Sequence, residues 1–457
     1  MTVNADVEFP AQPPRAKRRR PLLPGDDPFY VAPKGFAAAP AGAILRSREI
    51  ELALLGLVPQ KISAWQLLYR TCDLNGVPEA AVTTVLLPSD ADPSEPRPIV
   101  AYQCAIDAIS ARCFPSYSFQ RGSRAFGSVP ALELLVIASA LRRGWAVSVA
   151  DHEGVHGYFG APREPGYRAL DGVRAALAFE PLGLDPLTKV GLWGYSGGGM
   201  ATSWAAEMAT EYAPELDIVG ASLGSSVGDP GETFIRLNGT FHSGLPAIVV
   251  AALRHLYPGL ERVMQEHVDE AGRRRLDLCE KLPTVAAILK FAGDDFDNYT
   301  DLPIADVLAM PEVLEVFDDI RLGMRTPAVP LLMVQSVNDQ IINVEDVDGQ
   351  ARRYSDGGAH VTYVRDRWSE HITLMILAAP TVLDWLSDRF DGKPLPKAHT
   401  RTVRSIALKP SSLSGFAALA AAAGRVIAGR PVRSARPPRF ADGALARRLS
   451  TWMREAS

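Results

Sequence analysis

Short apolar runs alternate with amphipathic stretches along most of the chain. Residues 82–87 (VTTVLL) and 99–102 (IVAY) are β-prone runs bounded by Pro, Ser and Asp, which predicts strands. Over 131–143 the apolar positions recur at helical spacing and Gly144 follows as a C-cap signal, so a helix is expected there. A strand at 146–150 leads into the loop Asp151-His152-Glu153-Gly154. Residues 167–179 are helical in pattern, and 189–193 (KVGLW) is again a strand. That strand ends in Gly194-Tyr195-Ser196-Gly197-Gly198-Gly199, followed by an Ala-rich helical stretch at 200–212 and a strand at 218–223. Strands and helices alternating at this spacing predict a mostly parallel sheet covered on both faces.

The texture changes over 229–324. Helical patterns at 247–255, 260–270, 285–290 and 311–319 follow one another with no convincing strand between them. The strand–helix rhythm then returns at 330–335, 361–364 and 372–390. The expected organisation is an irregular leader over 1–40 and an α/β core in two parts, 41–228 and 325–390. The core is interrupted by a helical insertion at 229–324, far longer than an ordinary loop, and is followed by a basic tail over 391–457 that reads as flexible. No internal repeat is present.

Composition narrows the classes. With 457 residues, 47% hydrophobic, 22% charged and a mean hydropathy of +0.02, the chain is neither wholly disordered nor collagen-like nor a disulfide-dense mini-protein. The net charge of −4 gives no electrostatic reason to expect nucleic acid. Its distribution is uneven: the tail carries 13 Lys and Arg against 3 Asp and Glu, a net +10, suited to an anionic surface or to docking on the acidic body. Contact with a membrane or lipid interface is therefore an expectation for the tail. Lys17 to Arg20 are basic, but no apolar segment or cleavage site follows, so no signal peptide is readable. No run approaches the ~20 apolar residues of a membrane-spanning helix. On sequence alone these features read as cytoplasmic. The four cysteines (Cys72, Cys104, Cys113, Cys279) include no C-x-x-C pair, which argues against zinc, and each reads as a small buried hydrophobe. Their spacing alone leaves three pairings open.

Residues 194–198 match G-x-S-x-G with a strand before and a helix after. In so tight a turn the residues two before and two after the serine must be small, and the serine hydroxyl is left exposed. The helix N-terminus behind Ser196 offers N–H groups to a developing oxyanion. A serine needs a base, and the base needs an acid to hold its tautomer. Asp339 stands directly after the strand PLLMVQSVN, and His371 follows the strand VTYV at the start of a helix, in the order Ser, Asp, His. Competing acids are Glu345, Asp346 and Asp348, which read as a solvated helix face, and Asp366 and Glu370, which do not follow a core strand as Asp339 does. Among other histidines, His360 begins a strand, His399 lies in the tail, and His242, His255 and His267 fall in the insertion. A second oxyanion donor is expected from the loop after an earlier strand, and 151–154 is that loop. His152 and His156 stand at i, i+4 spacing, but on a Gly-bearing loop rather than a helix, which argues against a metal.

Taken together, the DHEG loop, the GYSGGG elbow, the helical insertion, SVNDQIINV and SEHITL resemble the secretory lipases of fungi and actinobacteria, the lipase A type, over residues 27–390. The resemblance implies an α/β-hydrolase fold with a helical lid over an acyl-binding tunnel. It also implies a Ser196–His371–Asp339 triad, an oxyanion hole at Gly197 and Asp151, no cofactor, and acyl esters or lipids as substrate. Cys113 in RCFPSY resembles a family cysteine that bridges to the lid, which implies a Cys113–Cys279 disulfide. Two departures stand out: His152 replaces the usual tyrosine of the family loop, and the family's secretion signal is not readable. The expected activity is ester hydrolysis. An acyltransferase sharing the acyl-enzyme and a catalytically silent binding protein on the same fold are the alternatives.

Overall fold

The computed structural model describes residues 20–409 and 412–435. The first nineteen residues of the expected leader (1–19) and the last part of the expected tail (436–457) lie outside the described residues.

Ten strands form one sheet: β1 (Ile44–Glu49), β2 (Ser63–Cys72), β3 (Pro78–Leu87), β4 (Ile99–Gln103), β5 (Ala146–Ala150), β6 (Val190–Tyr195), β7 (Ile218–Gly224), β8 (Leu331–Ser336), β9 (Val361–Asp366) and β10 (His399–Val403). Their order is β1-β2-β3-β5-β4-β6-β7-β8-β9-β10. The pairs from β1 to β5 are antiparallel, and every pair from β5 through β10 is parallel. Strands β4 to β8 are buried almost throughout, which is why they read as unbroken apolar runs rather than alternating ones.

Helices cover both faces. α1 (Pro130–Arg142) packs on one face; α2 (Glu164–Ala178) and α3 (Gly197–Tyr212) pack on the other. Between β7 and β8 the chain forms α4 (Pro230–Leu237), α5 (Gly244–Leu253), α6 (Pro258–His267), α7 (Glu270–Cys279), α8 (Thr284–Lys290), α9 (Ile304–Leu308) and α10 (Pro311–Ile320). Asp229 closes this excursion at both ends. One carboxylate oxygen caps α4 through the Glu232 N–H, and the other meets Arg321 Nε at 2.8 Å. The core resumes with α11 (Val344–Asp356) and α12 (His371–Phe390).

The described part of the expected flexible tail is folded. β10 extends the sheet in parallel with β9, and α13 (Ser412–Ile427) packs with α1 and α12. Ile406, Leu419, Ala422, Val426 and Val432 are buried in that core, and the Val432 carbonyl accepts the Ser89 N–H at 2.9 Å. Charge counting misses this because the basic side chains face outward while a sparse apolar face goes in. The expected irregular leader is likewise fixed from residue 20. Tyr30 is buried with its hydroxyl 2.8 Å from Ser116 Oγ, and Arg48 pairs with Asp27 across the Phe29 ring.

Candidate active site

Ser196 sits at the end of β6 with φ 55° and ψ −124°, the strained turn that lifts a side chain out of a strand–helix junction. Glycine is required around it because other backbone comes too close. A Cβ on Gly194 would lie 2.1 Å from the Gly198 carbonyl oxygen, and one on Gly198 would lie 2.0 Å from the Gln103 carbonyl oxygen. The Ser196 N–H is itself tied to the Gly224 carbonyl at 2.9 Å. The first N–H groups of α3 have no acceptor within the helix, and Gly197 lines the cavity beside the serine.

The hydroxyl of Ser196 lies 2.9 Å from His371 Nε2, and His371 Nδ1 lies 2.8 and 3.0 Å from the two Asp339 carboxylate oxygens. This puts the ring proton on Nδ1 and leaves Nε2 to accept from the serine. His371 opens α12, where Glu370 and Thr373 form a capping box, and the Tyr195 hydroxyl donates to the His371 carbonyl at 2.6 Å. Burial pushes the Asp339 carboxyl up. The hydrogen bond from His371 and the N–H groups of Ile342 and Ile341 outweigh it and hold the group below the usual carboxylate range.

Three of the competing acids are engaged elsewhere. Asp348 pairs with Arg365 at 2.9 Å, Asp366 receives the N–H groups of Trp368, Ser369 and Ile406, and Glu370 caps α12. Glu345 and Asp346 lie in the first turn of α11. Of the insertion's histidines, His242 feels the charge of His371 and is lowered mainly by burial.

Asp151, expected as the second oxyanion donor, is engaged elsewhere. The Asp151 N–H is already given to the Val82 carbonyl at 2.9 Å, and its carboxyl is turned away to the N–H and hydroxyl of Ser116. Asp107, in the loop after β4, borders the elbow instead. It has a positive φ of 48°, it lines the cavity with Ser196 and Gly197, and its Oδ1 has no hydrogen-bond partner among the described residues. Burial raises its carboxyl to about 7, with the charge of His371 pulling partly the other way. Strand order explains the difference, since β4 is the direct neighbour of β6 and β5 lies one strand further out. The available signal was the 104–108 loop directly after the 99–102 run, but sequence does not say which loop borders the elbow.

The expected disulfide is absent as well. All four cysteines are free and buried. Cys113 packs in the core cluster of α1 and α12, with Sγ 3.6 Å from Thr284 Oγ1 of α8, whereas Cys279 ends α7 and packs in a different cluster, which includes the insertion's apolar residues. Burial and the nearby Arg168 lower His152 to about 3, and no group of residues suited to a metal occurs among the described residues.

Above Ser196 the insertion encloses a cavity of about 1410 Å³ outside atoms, part of it open to solvent. Its walls are almost wholly apolar, with Phe159 and Met200 from the core and Leu237, Val250, Leu260 and Leu276 from the insertion.

The secretory lipase family profile matches residues 119–398. The chain belongs to this family. Among its relatives, a protein of Mycobacterium tuberculosis (strain CDC 1551 / Oshkosh) named as a probable inactive lipase is 53% identical over 434 residues, 94% of this chain and 97% of that protein. Lipase A of Arthroderma benhamiae (strain ATCC MYA-4681 / CBS 112371) is 34% identical over 403 residues, 86% of this chain and 85% of that one. The structure of Candida antarctica lipase A in its closed state superposes with a TM-score of 0.79 at 26% identity, covering 90% of this chain and 99% of that one. The chain therefore has the α/β-hydrolase fold. No helix among its described residues is long and apolar enough to cross a membrane.

Proposed function

We propose that this secretory-lipase family member hydrolyses lipid acyl esters through an acyl-enzyme on Ser196. The supporting observation is the unbroken hydrogen-bonded line from Ser196 Oγ through both nitrogens of His371 to the Asp339 carboxylate. As Ser196 Oγ bonds to the ester carbonyl carbon, its proton passes to His371 Nε2 and the carbonyl oxygen becomes an oxyanion. The Gly197 N–H and the protonated Asp107 carboxyl stabilise that charge. Collapse expels the alcohol, which takes the proton back from His371, and water repeats the sequence to release the acid. Removing one such donor costs about 3 kcal/mol of transition-state stabilisation. The apolar cavity favours a hydrophobic acyl chain, and the helical insertion serves as its lid. The basic C-terminal region is suited to holding the enzyme at an anionic lipid surface.

A silent binding protein is the second reading, favoured by the 53% identical relative named as probably inactive. A fluorophosphonate, which phosphonylates activated serines, separates the two. Intact mass should show one adduct on the wild type and none on Ser196→Ala. No adduct on the wild type would favour the silent reading.

A further inference from the structure

The DHEG loop does not contribute Asp151 to the oxyanion site, yet it does touch that site. Glu153 is 2% exposed, and its Oε1 accepts the Asp107 N–H at 3.0 Å. Burying a carboxyl is costly, and loop N–H groups are satisfied more cheaply by carbonyls or by water. The acceptor serves a residue that needs holding, because Asp107 is in the left-handed region without being glycine. Two other groups brace the same loop, but at its neighbours. Glu133 on α1 accepts the Ala105 N–H at 3.0 Å, and Thr284 of α8 donates to the Ile106 carbonyl at 2.8 Å.

Glu153 is itself rigidly placed. Its carbonyl accepts the Tyr158 N–H at 2.9 Å. Gly154 has φ +72° and leaves room for Arg168, whose Cζ would lie 2.5 Å from a Cβ there. That buried guanidinium pairs with Glu79 at 2.7 Å and Glu164 at 2.9 Å and donates to the His152 carbonyl at 3.3 Å. Asp151 anchors the loop's start on Ser116. The loop is thus a fixed platform that presents the Glu153 carboxyl to the backbone N–H groups of Asp107 and its neighbour Ala108.

The geometry points to Glu153 as a positioning residue for ester hydrolysis: its carboxyl holds the Asp107 backbone so that the free Asp107 oxygen faces the acyl oxygen above Ser196. This rests on the reading of Asp107 as the second oxyanion donor. Glu153 touches no reacting atom, so its effect belongs in kcat and passes through Asp107.

The test uses the full chain and a short p-nitrophenyl ester, with kcat and KM normalised to active sites titrated by a phosphonate, and with Tm measured for each variant. Glu153→Gln keeps the acceptor; Glu153→Met keeps the length and removes it. Glu153→Met is expected to lower kcat on the order of 10²-fold with KM little changed, as for a misplaced catalytic group, and Glu153→Gln to restore most of that loss. In an Asp107→Ala background Glu153→Met should cost nothing further, because the two act as one unit. Equal damage from Glu153→Gln and Glu153→Met, or an undiminished Glu153→Met loss in the Asp107→Ala background, would overturn the inference. Should Asp107→Ala alone lower kcat while Glu153→Met leaves it intact, Glu153 is excluded and the Asp107 reading stands. Should Asp107→Ala itself leave kcat intact, the oxyanion reading fails first. If Glu153→Met does not fold, Glu153→Ala in both backgrounds decides by the same criteria.

Discussion

The Cβ that Gly197 lacks would stand 1.8 Å from the Asp107 carboxyl oxygen. The residue after the nucleophile and the loop after β4 therefore share one small space, and a methyl group placed there must displace one of them. Gly197→Ala is expected to lower kcat by about 10²–10³-fold, the range for loss of one oxyanion donor. The helix beneath is little affected, because alanine suits it better than glycine. Parallel measurement of kcat and Tm checks this; a fall in Tm with unchanged kcat would contradict it.

Asp107 gives the activity a pH dependence. Burial raises its carboxyl to about 7, so below that pH it carries a proton to donate, and above it a carboxylate would repel the oxyanion. Wild-type kcat is expected to decline as pH rises through about 7, and Asp107→Asn, which donates at every pH, to lose that decline. Stability should follow the same group. The unfolded chain releases this proton near the ordinary value of about 4, so in the window from about 4 to about 7 the native state binds more protons and stability falls as pH rises. Asp107→Asn should make that slope shallower by one group's share in a Tm-versus-pH series, because Asp151 and Glu207, raised by burial to about 7, and Glu133, raised to about 8, keep theirs.

Asp339 acts through the tautomer of His371. Asp339→Asn keeps the shape but favours the wrong ring proton, and a loss of about 10⁴-fold in kcat is expected, with phosphonate labelling of Ser196 slowed in parallel. Substituting Asp348, which pairs with Arg365 instead, should leave both rates near the wild type.

The four thiols are buried and unpaired. Protein denatured without reductant is expected to react with four equivalents of a thiol reagent, and dithiothreitol to leave Tm unchanged. Two equivalents would restore the Cys113–Cys279 bridge implied by family resemblance.

What the sequence conveys well is local. Ser196 is legible because two glycines, a strand and a helix enclose it within a few residues, and Asp339 and His371 because each follows an apolar run that can only be a buried strand. Asp107 is not legible as a donor, because its role depends on β4 lying beside β6 in the sheet, a relation between segments about ninety residues apart. The fold of residues 399–427 is hidden for another reason. Four buried apolar side chains, Ile406, Leu419, Ala422 and Val426, in a segment that also holds four lysines and arginines carry too little periodicity to outweigh the charge, and only the open faces of α1, α12 and β9 show where they go. Free Cys113 and Cys279 correct a pairing that rested on resemblance, since the two residues are buried in separate clusters.

The central claim is that this member of the family is an active serine ester hydrolase with a cavity for a long acyl chain. Its most direct test is hydrolysis of a p-nitrophenyl ester series from short to long acyl chains by the wild type and by Ser196→Ala, in the same buffer and at equal concentration. The account predicts turnover by the wild type that extends to long chains and falls by several orders of magnitude in the variant. Equal inactivity of both proteins on every ester would contradict it.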